Sequence, residues 1–225
     1  MTQGGPARGD DAAGPEGAVS VAERIRAALR ADILSLSLPP GAPLTETALA
    51  AQFDASRNTV REALRLLVED GLVVHHRHRG AMVREPTADD VADLFAARRA
   101  VEVGVAHQAA AWGPRARHGL EPHLVAMERA VAAGDRAGVV AADLAFHAAL
   151  VELGGSARLA RFAHSVQQEL RLALVTVDRA LPDPHKVAEH RRLLDRVEAG
   201  DGEGLAVALA AHLDAASADL ARVLA

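Results

Sequence analysis

The chain has 225 residues, half of them hydrophobic, 24% charged and only 2% aromatic, with no cysteine and a formal net charge of −5. That length suits one large domain or two small ones, and so apolar a composition can bury a core, which excludes wholesale disorder. The lack of cysteine excludes a disulfide scaffold, thiolate chemistry and Cys-ligated zinc or iron–sulfur sites. No run approaches the roughly 18–20 apolar residues that cross a bilayer, and the first residues lack the apolar segment of a signal peptide. A cytoplasmic protein without membrane contact is therefore expected. With a negative net charge, any surface for a polyanion has to be a local patch.

Residues 1–17 are Gly, Pro, Ala and charge without periodicity, and read as a disordered tail. Ser20 with Glu23 three residues on is a capping box. Behind it Val21, Ile25, Ala28, Leu29 and Ile33 predict an amphipathic helix over about 21–35, stopped by Leu38-Pro39-Pro40-Gly41. Thr45 is placed to cap a short helix over about 46–53. Ser56 is placed to cap a second over about 57–70, with Val60, Ala63, Leu64, Leu67 and Val68 on its apolar face and Gly71 just past its end. The period then changes to that of strands. Leu72-Val73-Val74 goes out, residues 75–80 form a polar tip, and Ala81-Met82-Val83 returns. Helix, helix, turn, helix and hairpin is the order of a winged helix-turn-helix, here over 18–85.

Thr87, with Asp89 and Asp90 in the first turn, opens the next unit. Only helical signals follow, over about 88–111, 115–132, 136–153, 157–180, 185–199 and 202–224. The connections are short, so neighbours should run antiparallel in a bundle of six or seven helices over 88–225. The expected class is mainly α: an N-terminal winged helix-turn-helix and a C-terminal antiparallel all-helical bundle.

Residues 55–84 carry six arginines against three carboxylates, a positive patch on an acidic chain. Arg57, Arg61 and Arg65 fall at i, i+4 and i+8, forming one ridge opposite the apolar face. Ser56, Arg57, Asn58, Thr59 and Arg61 crowd the first turn, the end a recognition helix inserts into the major groove. Arginine suits guanine, asparagine suits adenine, and the hydroxyls suit phosphates. Arg79 and Gly80 at the hairpin tip would follow the backbone or minor groove. A solvated basic face is the plainer alternative for the spacing by itself.

The run from Leu44 to Val73, with Ser56-Arg-Asn-Thr-Val-Arg-Glu-Ala-Leu64 at its centre, resembles the DNA-binding domain of GntR-type transcription regulators. That resemblance covers about residues 20–84 and implies that Arg57 and Arg61 are the principal DNA contacts, flanked by Ser56, Asn58 and Thr59, with Gly80 at the wing tip. The family usually has Thr or Ser followed by Pro where this chain has Asn58-Thr59. Thr59 restores a backbone N–H and a hydroxyl, so operator preference is not carried over.

A second constellation lies in the helical unit. Asp143 and His147, at i and i+4, point the same way along one helix; His190 and His212 lie in two others. Ligand atoms from three helices can meet at a bundle centre. One carboxylate and three imidazoles suit a borderline divalent ion such as zinc, nickel or manganese, with two positions of an octahedron left for a carboxylate-bearing small molecule. On spacing alone, Asp-x-x-x-His is more often a surface pair.

Residues from about 88 to 222 resemble the FCD effector-binding domain of the FadR-like branch of GntR regulators, through Asp143 to His147, Glu189 to Leu194, Ala199-Gly200-Asp201 and Ala211-His212-Leu213. The resemblance implies that Asp143, His147, His190 and His212 hold a divalent ion, with zinc the first expectation. Arg98-Arg99-Ala100-Val101-Glu102 matches its Arg-x-x-x-Glu, which implies that Arg98 faces the pocket and pairs with an effector carboxylate. Spacing equally permits a salt bridge from Arg98 to Glu102. The expected protein is a homodimeric regulator, a repressor by preference, that binds a palindromic operator in double-stranded DNA and senses a small organic acid. Two rival readings fit the same residues. One is a metal-free regulator sensing acyl-CoA or another ligand. The other is a metal-dependent hydrolase using Glu189 as base.

Overall fold

The computed structural model describes residues 19–113, 115–177 and 184–224. The tail expected over 1–17 lies outside the described residues, as do the end of the helix expected to reach 180 and the turn after it. Helix α1 (Val21–Leu34) begins at Ser20, whose hydroxyl accepts from the Glu23 N–H while the Glu23 carboxylate accepts from the Ser20 N–H, the reciprocal box that spacing predicts. Strand β1 (Pro43–Leu44) and helix α2 (Glu46–Gln52) follow. Thr45 stands at the start of α2, but its side chain makes no capping hydrogen bond. Helix α3 (Arg57–Glu69) is capped by Ser56 and left through Gly71, whose φ of +71° suits glycine.

Strands β2 (Val73–His76) and β3 (Gly80–Val83) form the wing. His75 and His76, expected in the tip, pair with Ala81 and Gly80, so the strand runs further and the tip shortens to Arg77-His78-Arg79. Positive φ at His78 and Gly80 closes it. Pro43 and Leu44 pair with Met82 and Ala81 on the other side of β3, giving the antiparallel order β1-β3-β2. Leu44 is buried with Leu29, Ile33, Leu64 and Leu72 in the winged-helix core.

Six helices continue: α4 (Ala88–Ala106), α5 (Arg115–Ala133), α6 (Arg136–Leu153), α7 (Ala157–Val177), α8 (Pro184–Glu198) and α9 (Gly202–Leu224). Thr87 and Asp90 cap α4 reciprocally, and Asp135 caps α6. The helix expected to reach residue 111 instead ends at Ala106, followed by a 3-10 turn over Ala109–Ala111. At that point Gly202 of α9 backs so closely onto the chain that a Cβ there would lie 2.7 Å from the His107 carbonyl oxygen. Phe95, Leu120, Phe146, Leu150, Leu170, Leu193 and Leu209 fill the bundle core. By length and composition α9 is apolar enough to cross a membrane, more so than the sequence pattern suggests. In this fold it buries Leu205, Leu209, Leu213 and Leu220 in the bundle.

Helix α7 belongs to both cores. Leu170 and Ala173 face the bundle, whereas Leu172, fully buried, completes the winged-helix core. Beside it Glu169 lies against Gly71. The two units are thus joined by packing as well as by the chain.

Candidate metal centre and nucleic-acid interface

The ligand atoms of Asp143, His147, His190 and His212 all lie within 4.8 Å of one another. Helix α6 supplies the first two from adjacent turns of one face; α8 and α9 bring the others. The His190 Nε2 is 3.3 Å from the His147 Nε2 and 3.2 Å from an Asp143 oxygen. The rings of His147 and His212 stack with centroids 5.3 Å apart, and His190 meets His212 edge-on at 4.8 Å. His147 and His190 are completely buried.

The opposite edge of each ring has a partner. His147 Nδ1 lies 2.7 Å from Glu102 Oε2, His190 Nδ1 lies 2.8 Å from the Lys186 carbonyl, and His212 Nδ1 lies 3.1 Å from Glu189 Oε2. An acceptor at Nδ1 favours the tautomer whose Nε2 is turned inward as a lone pair, the usual arrangement around a bound ion, although His190 Nε2 also lies against Asp143. Glu189 therefore orients His212 rather than serving as a free base. Glu102 and the Lys186 carbonyl carry no sequence signal of this role, because each acts on a histidine that only the tertiary fold brings near.

Electrostatics suit a cation. Burial lowers the pKa of His147 and overrides the Glu102 carboxylate beside it. Burial, reinforced by His147 and His190, pushes His212 down to about 3. Burial would also lower His190, but the hydrogen bond and charge of Asp143 outweigh it and raise that pKa. Asp143, which burial alone would push up, is held well below the usual carboxylate range by His190. A carboxylate and two neutral imidazoles thus already present lone pairs without competition from protons.

Arg98 makes the salt bridge its spacing permits, with Nε 2.8 Å from Glu102 Oε1 in a buried pair. It also stacks over Phe95 at 5.2 Å. One of its terminal nitrogens is buried with no hydrogen-bond partner. A buried donor left unsatisfied is costly, and one carried by a charged group more so. The donor set, the oriented imidazoles and this orphaned guanidinium nitrogen all fit a site for an ion and an anionic ligand.

In the first unit, Ser56, Arg57, Asn58 and Arg61 are exposed and Thr59 half-buried at the start of α3; Arg79 and Gly80 are exposed on the wing. The Ser56 hydroxyl accepts from the Thr59 N–H at 3.1 Å and lies 2.8 Å from the Thr59 hydroxyl. The N–H that a proline would lack is thus used in the cap. The arginine ridge is less open than its spacing suggests. Arg61 is held by Glu46 of α2 through bonds of 2.9 and 2.7 Å, and Arg65 pairs with Glu62 and Glu69. Arg57 makes no salt bridge among the described residues.

Residues 93–215 match the FCD domain, and residues 21–83 match the bacterial regulatory proteins of the gntR family. The chain belongs to the GntR family. Among its GntR relatives, a Paenarthrobacter nicotinovorans protein named "Probable D-xylose utilization operon transcriptional repressor" is 32% identical over 87% of both chains. The transcriptional repressor RspR of Escherichia coli K12 is 25% identical over 90% of both. A solved GntR regulator from Rhodococcus sp. RHA1 superposes with a TM-score of 0.80 at 34% identity, covering 88% of this chain and 96% of its own. This GntR protein is a transcriptional regulator and not an enzyme, which removes the hydrolase reading. GntR regulators bind DNA operators and typically act as dimers, and FCD domains often bind metals.

Proposed function

We propose that this regulator is a repressor that senses a small organic acid at a divalent-metal pocket and responds by changing its hold on a palindromic operator. Residues 18–85 serve as the DNA reader, and residues 88–225 as the effector-binding and dimerisation unit acting in the cytoplasm. The observation that carries the reading is the convergence of Asp143, His147, His190 and His212 beside a buried guanidinium with an unused donor. Those four residues would hold the ion, zinc by preference and nickel or manganese by chemistry also suited. When bound, the ion supplies positive charge and open coordination positions to a ligand carboxylate.

The protein's own groups do the rest. Glu102, Glu189 and the Lys186 carbonyl fix the three imidazoles. Arg98 presents its free nitrogen to a carboxylate, a geometry the guanidinium suits. On the DNA side, Arg57 and Arg61 reach bases and flanking phosphates. Ser56, Asn58 and Thr59 complete the first turn, and Arg79 and Gly80 bring the wing to the backbone. Ligand and operator must alter each other's affinity by one common factor.

The test is operator binding by the full-length protein, on sites selected from random duplexes. Arg57→Ala and Arg61→Ala are each expected to abolish specific shifts with helical content unchanged. A panel of two- to six-carbon hydroxy and dicarboxylic acids should contain one that weakens the wild-type complex only when metal is present. Specific binding retained by both arginine variants overturns the DNA assignment. A full acid response from metal-free protein overturns the metal assignment and favours the metal-free regulator instead.

A further inference from the structure

The junction between the two units holds a second cluster of charge, remote from the metal centre. A cleft of about 320 Å³ separates α1 from α7, lined by Glu23, Arg26, Ala27 and Arg30 on one wall and His164 and Gln168 on the other. Glu23, the acid of its lining, is tied into the α1 cap, and Asp70, outside the lining, binds Arg26 through bonds of 2.7 and 2.5 Å. Arg30 has only the neutral amide oxygen of Gln168 as hydrogen-bond partner among the described residues.

Arg171 lies just outside the cleft's lining; it follows Gln168 by three positions and so shares its side of α7. Its Nε is buried without a hydrogen-bond partner, and it makes no salt bridge among the described residues. The two guanidiniums feel each other: burial lowers the pKa of Arg30 and Arg171 lowers it further, which the Asp70 carboxylate only partly opposes. One turn before Arg171, the amide nitrogen of the buried Gln167 is likewise without an acceptor. Like charges and unused donors gathered in a partly desolvated place are costly, and a multivalent anion relieves both costs at once.

We propose that this junction is a second ligand site, in which Arg30 of the DNA-binding unit and Arg171 of the effector unit together grip a small oxyanion bearing a phosphoryl group. Two guanidiniums match the charge of a phosphoryl dianion, whereas a monocarboxylate neutralises only one of them. The cleft is at the small end of ligand sites, which suits phosphate itself or a small phosphorylated metabolite. The anion would fasten α1 to α7, so it binds the docked arrangement of the two units and biases DNA affinity from a place the organic acid does not touch.

Calorimetric titration and thermal shift of the full-length protein test this, with inorganic phosphate and ribose 5-phosphate as probes and sodium chloride at matched ionic strength as control. Wild type should bind a probe and melt higher than in the chloride control, equally before and after chelation of metal. Tighter binding of the ester assigns the site to phosphorylated metabolites, and tighter binding of the free ion assigns it to phosphate. Arg30→Gln and Arg171→Gln should each weaken binding by about tenfold or more, the loss expected for one charge-assisted bond. Arg171→Glu should raise the melting temperature in anion-free buffer, by pairing with Arg30, and erase the response to both probes. A response matched by chloride, lost on chelation, or kept in full by the glutamine variants overturns the proposal.

Discussion

Glu102 is 1% exposed and joins Arg98 to His147, with one oxygen 2.8 Å from the guanidinium and the other 2.7 Å from the imidazole. Burial would raise its pKa, yet Arg98 and His147 hold the carboxyl down to about 2. Glu102→Ala leaves Arg98 buried without its bonded countercharge, with one of its nitrogens already unpartnered. Removing one member of a buried pair costs about 3–5 kcal/mol. For a chain of this size each kcal/mol lowers the melting temperature by about 2–4 °C, so a fall of about 6–20 °C is expected. The same change frees the His147 ring, and loss of such an outer partner costs about 10–100-fold in metal affinity. Glu102→Gln keeps the volume and one acceptor oxygen, so it should lose stability but retain more of the affinity. Calorimetry and zinc competition against a chromophoric chelator measure the two effects. If Glu102→Ala melts within about 2 °C of wild type and binds zinc within about threefold, Glu102 does not brace this site.

Three further outcomes follow from the same geometry. Glu46→Ala releases Arg61 and removes a negative charge from the surface proposed to meet DNA; specific affinity should fall and non-specific affinity rise, lowering their ratio in competition binding. Chelating a metal present at a hundred times its dissociation constant should remove about 2.7 kcal/mol of stability. That lowers the melting temperature by about 5–11 °C, with smaller changes in His147→Ala and His190→Ala proteins that hold no ion. Leu172→Ala opens a cavity in the winged-helix core from a residue of the bundle, costing about 2–5 kcal/mol in urea unfolding and exposing the junction to limited proteolysis.

Much of this was legible in the sequence wherever the determinant is local. Ser20, Ser56 and Thr87 mark helix starts because a cap is read three residues away. The hydrophobic period places α3 and its exposed first turn. The resemblance to the FCD domain pointed to Asp143, His147, His190 and His212, which residue types and spacing alone left open, and only packing brings their three helices to one point. What stayed hidden is non-local or very short. Strand β1 is two residues long, with no period to read. Glu46 grips Arg61 across fifteen positions, and Glu102 reaches His147 across forty-five. Leu172 reads as one more apolar residue of a bundle helix until the fold puts it in the other core. The tip histidines were misplaced because polar residues look like loop, whereas the backbone ladder to Gly80 and Ala81 keeps them in the strand.

Anomalous X-ray scattering at the zinc edge, from crystals of protein purified without chelator, tests the central claim most directly. The account predicts a single strong peak within about 2.0–2.2 Å of the inward nitrogens of His147, His190 and His212 and an oxygen of Asp143. A map without a peak among those four side chains, at an edge where bulk metal analysis finds one equivalent per chain, contradicts it.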